Sequence, residues 1–391
     1  MKQGWTYKKL GELGTIVTGS TPSTKIKEYY CSNDYCFIKP SDLPAEGYQI
    51  IVESENYISS KGYEVSRKLP KGSVLVSCIG IIGKTAILGM DACTNQQINA
   101  IIPNEYVNNK FLAYSILSQR YVLSSVANAP VVPLINKSDF SKVEIPLPPL
   151  STQLSIVSEL DKINELIRLK KEQLKDYDNL AQSIFYEMFG DPIENEKGWE
   201  VKKLGDVCEV SSFKRVLVED VLEKGPVPFI RGTELSAICK ENKREYKMYI
   251  TMEHYERVKN ISGVPNVGDL LIPSINAEGL VWVVDTPEPM YYKDGRVLWV
   301  HVDQNSISSI ALQRILNNLI KDNYSKITNG AVFAELNLSI LRSFPIILPP
   351  LSIQNAFANK INLIEKQKAE IQSTIADLET LLASRMQYWF D

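Results

Sequence analysis

Amides and cations, rather than acid–base pairs or nucleophiles, are what this sequence offers for chemistry. Thr94-Asn95-Gln96-Gln97 sets three amide side chains between two apolar runs, and an Asn or Gln amide can bond an adenine edge through two hydrogen bonds. Amides in a turn also serve as plain turn formers, so the run carries both readings. Lys39, Lys84, Lys214, Arg215, Arg231 and Arg296 fall at predicted strand ends or in loops. There a cation can reach phosphate or guanine, or it can remain a solvated surface charge. Asn276 and Asn329 are isolated amides of the same kind. These positions are the candidate nucleic-acid contacts.

Catalytic chemistry finds little to work with. Gly80-Ile81-Ile82-Gly83-Lys84-Thr85 looks like the end of a phosphate-binding loop, but Cys78 stands where the motif needs its first glycine, and no long helix is predicted after Lys84. Without the backbone nest and the helix N-terminus it reads as a turn with an exposed lysine. No Gly-x-Gly-x-x-Gly, no Gly-x-Ser-x-Gly and no Asp/Asn-Pro-Pro-aromatic tetrapeptide of the amino-methyltransferase kind occurs. The six cysteines are dispersed without C-x-x-C spacing and read as reduced packing residues. His254 and His301 have no ligand-spaced partners in sequence, so they read as structural, and no metal site is expected.

The elements that must position the polar residues come in two copies. Gly4-Trp5-Thr6-Tyr7-Lys8-Lys9-Leu10-Gly11-Glu12-Leu13 returns as Gly198-Trp199-Glu200-Val201-Lys202-Lys203-Leu204-Gly205-Asp206-Val207. Pro148-Pro149-Leu150-Ser151 and Gln153 return as Pro349-Pro350-Leu351-Ser352 and Gln354. After each of these comes a heptad seam. The first runs through Ile156, Leu160, Ile163, Ile167, Leu174, Tyr177, Ala181, Ile184 and Met188, the second through Phe357, Ile361, Ile364, Ile371, Ile375, Leu378, Leu382 and Trp389. Such a seam predicts a long helix that pairs with another helix, capped at the first start by Ser151 or Thr152. The chain is a tandem duplication.

Ahead of each helix lies a globular segment. In the first, strands are predicted at Leu10 to Thr18, Tyr35 to Ile38, Gly72 to Gly80 and Thr85 to Leu88, with one helix at Val107 to Leu123. Phe37 to Leu43 has its counterpart in Phe229 to Leu235, and Lys71 to Val76 in Val267 to Ile272, while the loops between differ. Two copies of one scaffold with different loops suggest two ligands, or two halves of one asymmetric ligand. The net charge of −3 over 391 residues is mild, but it is uneven: +3 over 1–150, −4 over 151–197, −1 over 198–350 and −1 over 351–391. A reader of nucleic acid with this balance must gather its basic residues on one face or borrow surface from partners. With no membrane-length apolar run and no signal-peptide core, the expected location is the cytoplasm.

The order of a Gly-Trp-x-x-x-x-Leu-Gly-[Glu/Asp] opening, a variable segment and a Pro-Pro-Leu-Ser-x-Gln helix, twice over, resembles the specificity subunits of Type I restriction-modification systems. The resemblance implies an α+β architecture of two target recognition domains, 1–150 and 198–350. These are followed by conserved spacer helices at 151–197, which includes a linker, and at 351–391. It implies a non-catalytic subunit that reads a bipartite asymmetric site in double-stranded DNA. Its partners would be two DNA adenine methyltransferase subunits and the restriction (motor-nuclease) subunits, with AdoMet, ATP and Mg held by those partners and no cofactor in this chain. Ser-Thr-Gln and Ser-Ile-Gln replace the x-Glu-Gln common in family helices, which leaves partner detail open.

Chain geometry favours an antiparallel helix pair with pseudo-twofold symmetry. About 39 helical residues span roughly 58 Å, whereas residues 198–350 should form a domain roughly 40 Å across, too short to bridge parallel helices. Lys170 and Lys368 interrupt the seams, where they either set register or snorkel to solvent. Two competing readings are a duplicated protein-binding scaffold without a DNA role and a stand-alone nuclease or methyltransferase. Salt-dependent DNA affinity would speak against the first, and AdoMet binding by the isolated chain would revive the second.

Overall fold

The computed structural model describes residues 4–126, 134–327 and 335–390. The chain forms two units, Met1–Glu172 with Ser373–Asp391, and Gln173–Gln372.

In the first unit the two duplicated stretches meet. Thr6–Lys9 pairs antiparallel with Glu144–Leu147, Thr6 opposite Leu147 and Lys9 opposite Glu144. In the second unit Glu200–Lys203 pairs in the same way with Pro345–Leu348. The strand that follows the Gly-Trp opening and the strand that precedes the Pro-Pro-Leu closing thus form one ribbon in each unit.

Each unit has two further sheets. The main sheet of the first unit has the order Gly14–Thr18, Ile98–Pro103, Val74–Ser77, Thr85–Leu88, Tyr48–Ile51. That of the second has Glu209–Ser212, Val297–His301, Leu270–Pro273, Trp282–Val283. Among the described residues Tyr48–Ile51 has no counterpart in the second unit. The smaller sheets match strand for strand, with Tyr35–Ile38 and Val227–Ile230 at their centres. Alternating residues of the main sheets serve two cores, as the period of two in a strand requires. Val74 and Val76 pack towards the helix Asn109–Ser118, and Leu75 towards the small sheet. Leu270 and Ile272 pack towards the helix Ser309–Ile327, and Leu271 towards the small sheet. Each unit is therefore three-layered, and its central strands read as unbroken apolar runs because both faces are covered.

The structure corrects several expectations. The strand expected from Leu10 starts only at Gly14, after a 3-10 turn over Leu10–Glu12. The single helix expected at Val107 to Leu123 is two, Asn109–Ser118 and Arg120–Val126, split at Gln119. Asn108 starts the first of these by accepting from the N–H groups of Lys110 and Phe111. Ser151 and Thr152 do not cap the first long helix. It already begins at Leu150, with the N–H groups of Thr152 and Gln153 bonded to the Pro149 carbonyl.

The long helices are Leu150–Phe189 and Leu351–Phe390. In each unit a stretch of one runs antiparallel to a stretch of the other. In the first, Glu159 meets Arg385 and Lys171 meets Glu379 at 2.8 Å. In the second, Asp178 meets Lys368 at 2.8 Å, and Phe185 and Phe189 meet Phe357. Ile156, Leu160, Ile163, Ile167 and Ala181 are buried as the seam predicts, but Phe185 and Phe189 are buried more deeply than Ile184 and Met188. Near its end the helix packs on its helical partner and on the core of the globular part together, and the stripe shifts by one residue. Lys368 keeps its place in the seam, its side chain largely covered, and bridges Asp178 and Glu365 with its ammonium. No helix among the described residues is long and apolar enough to cross a membrane.

Candidate nucleic-acid interface

The candidate residues are brought together by a parallel strand pair. In the first unit Tyr35–Ile38 and Cys93–Thr94 run parallel, Phe37 opposite Cys93 and Ile38 opposite Thr94, so the chain leaves both at one end. There the Asn95 N–H donates to the Ile38 carbonyl at 3.1 Å, which sets Asn95 beside Lys39. In the second unit Phe229 and Ile230 stand opposite Tyr291 and Tyr292, and the Lys293 N–H donates to the Ile230 carbonyl at 2.8 Å. Lys293 is thereby set beside Arg231.

Two more loops close on the same place. The turn after Val74–Ser77 is tied by Cys78 N–H to the Gln97 carbonyl at 2.9 Å, and the turn after Leu270–Pro273 by Ser274 N–H to the Arg296 carbonyl at 3.0 Å. Gln97 and Arg296 are thus equivalent positions. The loop after the first main-sheet strand crosses above. A Cβ at Gly19 would lie 2.1 Å from the Asn95 carbonyl oxygen, so only glycine permits this crossing. Thr21 Oγ1 then donates to Gln96 Oε1 at 2.6 Å. In the second unit the Tyr291 hydroxyl holds the same loop, accepting from Lys214 N–H at 2.9 Å.

The side chains differ in how much remains free. In the first unit Asn95 is buried and closes on itself, its Nδ2 on Gln97 Oε1 and its Oδ1 accepting the Gln97 N–H. Gln96 is exposed. Lys39 is half-buried and reaches Asn56 Oδ1 at 2.7 Å. Lys84, expected as an exposed lysine, is half-buried instead, with its ammonium on the carbonyls of Pro40 and Leu43 at 3.2 and 3.1 Å. It fastens one loop to another.

In the second unit Lys214 and Arg215 are exposed, and neither meets a carboxylate among the described residues. Asn276, by contrast, is buried, and both ends of its amide bond the backbone of Leu280, so it shapes the turn. Arg296 is exposed and paired with Glu335. Arg231 is gripped by Glu234: Nε to Oε2 at 3.1 Å and Nη2 to Oε1 at 2.5 Å, with Thr233 Oγ1 also donating to Oε2. Burial alone would raise the Glu234 carboxyl, but the bonds from Arg231 and Thr233 outweigh it and hold it at about 2. Asn329 lies outside the described residues.

Sequence reasoning missed Glu234, three residues after Arg231, and Lys293, whose place emerges only from strand register. It also passed over Gln153 and Gln354, although both stood in a quoted repeat. Each is buried at the helix start and bonds the loop that precedes the domain helix. Gln153 Oε1 accepts the Asn108 N–H at 2.8 Å, and Gln354 Oε1 accepts the Ser308 N–H at 2.9 Å. The two histidines, unpartnered in sequence, each lie beside an aspartate in space: His254 by Asp220 at 3.6 Å, His301 by Asp269 at 3.0 Å. No group of three metal-binding side chains occurs among the described residues.

The sequence profile of the Type I restriction modification DNA specificity domain matches residues 2–176 and again 196–379. The chain belongs to this family. Among its specificity-subunit relatives is the MjaIX subunit of Methanocaldococcus jannaschii, 32% identical over 278 residues, which cover 64% of each chain. The HindI specificity subunit of Haemophilus influenzae is 31% identical over 207 residues, 52% of this chain and 40% of that one. The alignments thus span less than two thirds of these two relatives. The fold agrees with the solved specificity subunit of M. genitalium at a TM-score of 0.59 and 14% identity, covering 99% of this chain and 96% of that one. A chain from a structure of the type I R-M system gives a TM-score of 0.62 at 19% identity, covering 99% and 97%. The specificity-domain family thus accounts for both copies of the repeat.

Proposed function

We propose that this chain is the non-catalytic DNA-recognition subunit of a Type I restriction-modification complex. Each unit reads one half of a bipartite, asymmetric target, and the long helices set the unread gap. The observation that carries this reading is the pair of equivalent loop clusters. Backbone bonds fix both in the same way, yet the first exposes one amide, Gln96, while the second sets Arg231, Lys293 and Arg296 in the equivalent places, as two readers of unlike half-sites require. Phosphate contacts would come from Lys214, Arg215 and partner surfaces.

Two adenine methyltransferase subunits and the restriction subunits supply the chemistry, with AdoMet, ATP and Mg bound on them. A seat for such a partner is available on the helices of the first unit. Leu154 and Leu381, each about half exposed, flank Ser155, Ser158 and Glu159 in a shallow groove. Mapping methylated adenines in the host genome with and without this chain tests the proposal. Loss of one split motif, two short half-sites around a fixed gap, is expected. If no split motif depends on the chain, the proposal falls. Inserting one heptad into each long helix, about 10 Å of rise, should lengthen the gap by about three base pairs and leave both half-sites unchanged.

A further inference from the structure

Arg231 differs from the other cations of the second unit in how it is held. Lys214 and Arg215 are exposed, and Arg296 meets Glu335 through Nη1 alone. Arg231 is bound along one side only, through Nε and Nη2, by a carboxylate that is itself 9% exposed and further fixed by Thr233. A guanidinium has five N–H groups in a rigid fork. Binding Nε and one hydrogen of Nη2 leaves both hydrogens of Nη1 and the second of Nη2. Among the described residues nothing bonds them. The end-on fork of Nη1 and Nη2 is therefore open, in a side chain 37% exposed, at the end of the strand pair where the loops converge.

Lys39, the equivalent residue of the first unit, is built otherwise. Asp42, at the place of Glu234, accepts from the Lys39 and Glu55 backbone N–H groups rather than from the side chain. The carboxylate that shapes the loop in one unit orients the side chain in the other. Orientation matters for base reading, because an arginine that meets guanine O6 and N7 must present both donors in the base plane. A salt-bridged fork also loses less rotamer freedom on binding. A phosphate contact would not need such fixing.

We propose that Arg231, oriented by Glu234, reads a guanine through O6 and N7 in the half-site bound by the second unit. This rests on the recognition role proposed above and names one base of the target. Arg231 is the contacting residue and Glu234 the positioning one.

The experiment uses the assembled methyltransferase, first with wild-type chain to obtain the split motif. Arg231→Lys and Glu234→Gln are then profiled in the same way. The expected result is loss of preference at one guanine of one half-site, with the other half-site and the gap retained. Glu234→Gln should relax the same position less than Arg231→Lys. In duplexes carrying the motif, replacing that guanine with 7-deazaguanine, which lacks N7, should weaken wild-type binding roughly 5- to 150-fold. Inosine, which keeps O6 and N7, should be tolerated.

The inference is overturned if Arg231→Lys keeps the full motif. It is equally overturned if neither half-site contains a guanine, if wild-type binding tolerates 7-deazaguanine throughout, or if Arg231→Lys weakens all sequences alike with a shallower salt dependence, the mark of a phosphate contact. Because the 7-deazaguanine arm uses wild-type protein, poor folding of a variant does not rescue it. If the wild-type chain directs no split motif, the recognition role itself fails.

Discussion

The reading ends of the two units share a backbone and almost no side chains. The Asn95 and Lys293 N–H groups bond the carbonyls of Ile38 and Ile230, those of Cys78 and Ser274 bond Gln97 and Arg296, and those of Ile135 and Leu336 bond Cys78 and Ser274. Every one of these ties is main chain to main chain and indifferent to residue type. Asn95-Gln96-Gln97 can therefore become Lys293-Asp294-Gly295-Arg296, one residue longer, without moving the frame. At the helix end the units differ in the opposite sense. In the first, Asp161 accepts from Lys110 Nζ at 2.6 Å, Tyr114 Oη at 2.8 Å and Tyr48 Oη at 2.9 Å. In the second, Arg314 meets Glu365 at 3.6 Å. The extra strand Tyr48–Ile51 supplies one arm of the first clamp.

The contrast can be tested from its strongest points downwards. Phe357→Ala and Phe111→Ala, each fully buried, should each cost about 3–5 kcal/mol. Hydrogen exchange should accelerate mainly in Gln173–Gln372 for the former and in the other unit for the latter. A uniform response would mean that the units do not unfold separately. Asp161→Ala leaves one buried and one half-buried hydroxyl and an ammonium without this acceptor, and should lower stability by about 2–3 kcal/mol in denaturant titrations. Glu365→Ala, which removes long contacts of 3.6 Å to Arg314 and 3.3 Å to Lys368 from a half-exposed carboxylate, should cost about 1 kcal/mol or less. Equal losses would abolish the distinction between clamp and contact.

Acid should separate the units at the reading end. The Glu234 carboxyl is depressed in the folded chain to about 2, below its unfolded value near 4.3. Its contribution is therefore complete above about pH 4.5 and is lost as pH falls towards 2. Discounted for the exposure of Arg231, this is on the order of 2 kcal/mol. Denaturation midpoints across that window should fall for the wild type and less steeply for Glu234→Gln. Smallest in stability is Gln96→Ala, expected to stay within about 0.5 kcal/mol while relaxing the half-site that Arg231→Lys leaves alone. Relaxation of the same half-site by both would disprove the assignment of one reader to each unit.

The sequence made the skeleton legible because its signals were repeated or periodic. The Gly-Trp and Pro-Pro-Leu-Ser stretches mark both ribbons, and Ile156, Leu160, Phe357 and Ile361 lie buried where the seams put them. The seam misled at the far end of each helix, where Phe185 and Phe189 are buried more deeply than Ile184 and Met188, and Phe390 more deeply than Trp389, since periodicity cannot say what a face packs against. Individual polar residues were harder. Asn95 and Asn276 satisfied the composition of a reading loop, but short amides bond nearby backbone in turns, and both are used in this way. Lys84 is held by carbonyls from a loop some forty residues away, a contact with no trace in local sequence.

The division of the chain between the units also bears on its synthesis. Gln173–Gln372 is one continuous segment and can close as soon as it has left the ribosome. The other unit is assembled from Met1–Glu172 and Ser373–Asp391. Its core includes Ile156, Leu160 and Phe390, and Trp5 stacks on Trp389. At roughly 5–20 residues per second, the 200 intervening residues take about 10–40 s. The unit that starts first is thus completed last, and for that interval its apolar helix face stays open to chaperones and to neighbouring nascent chains.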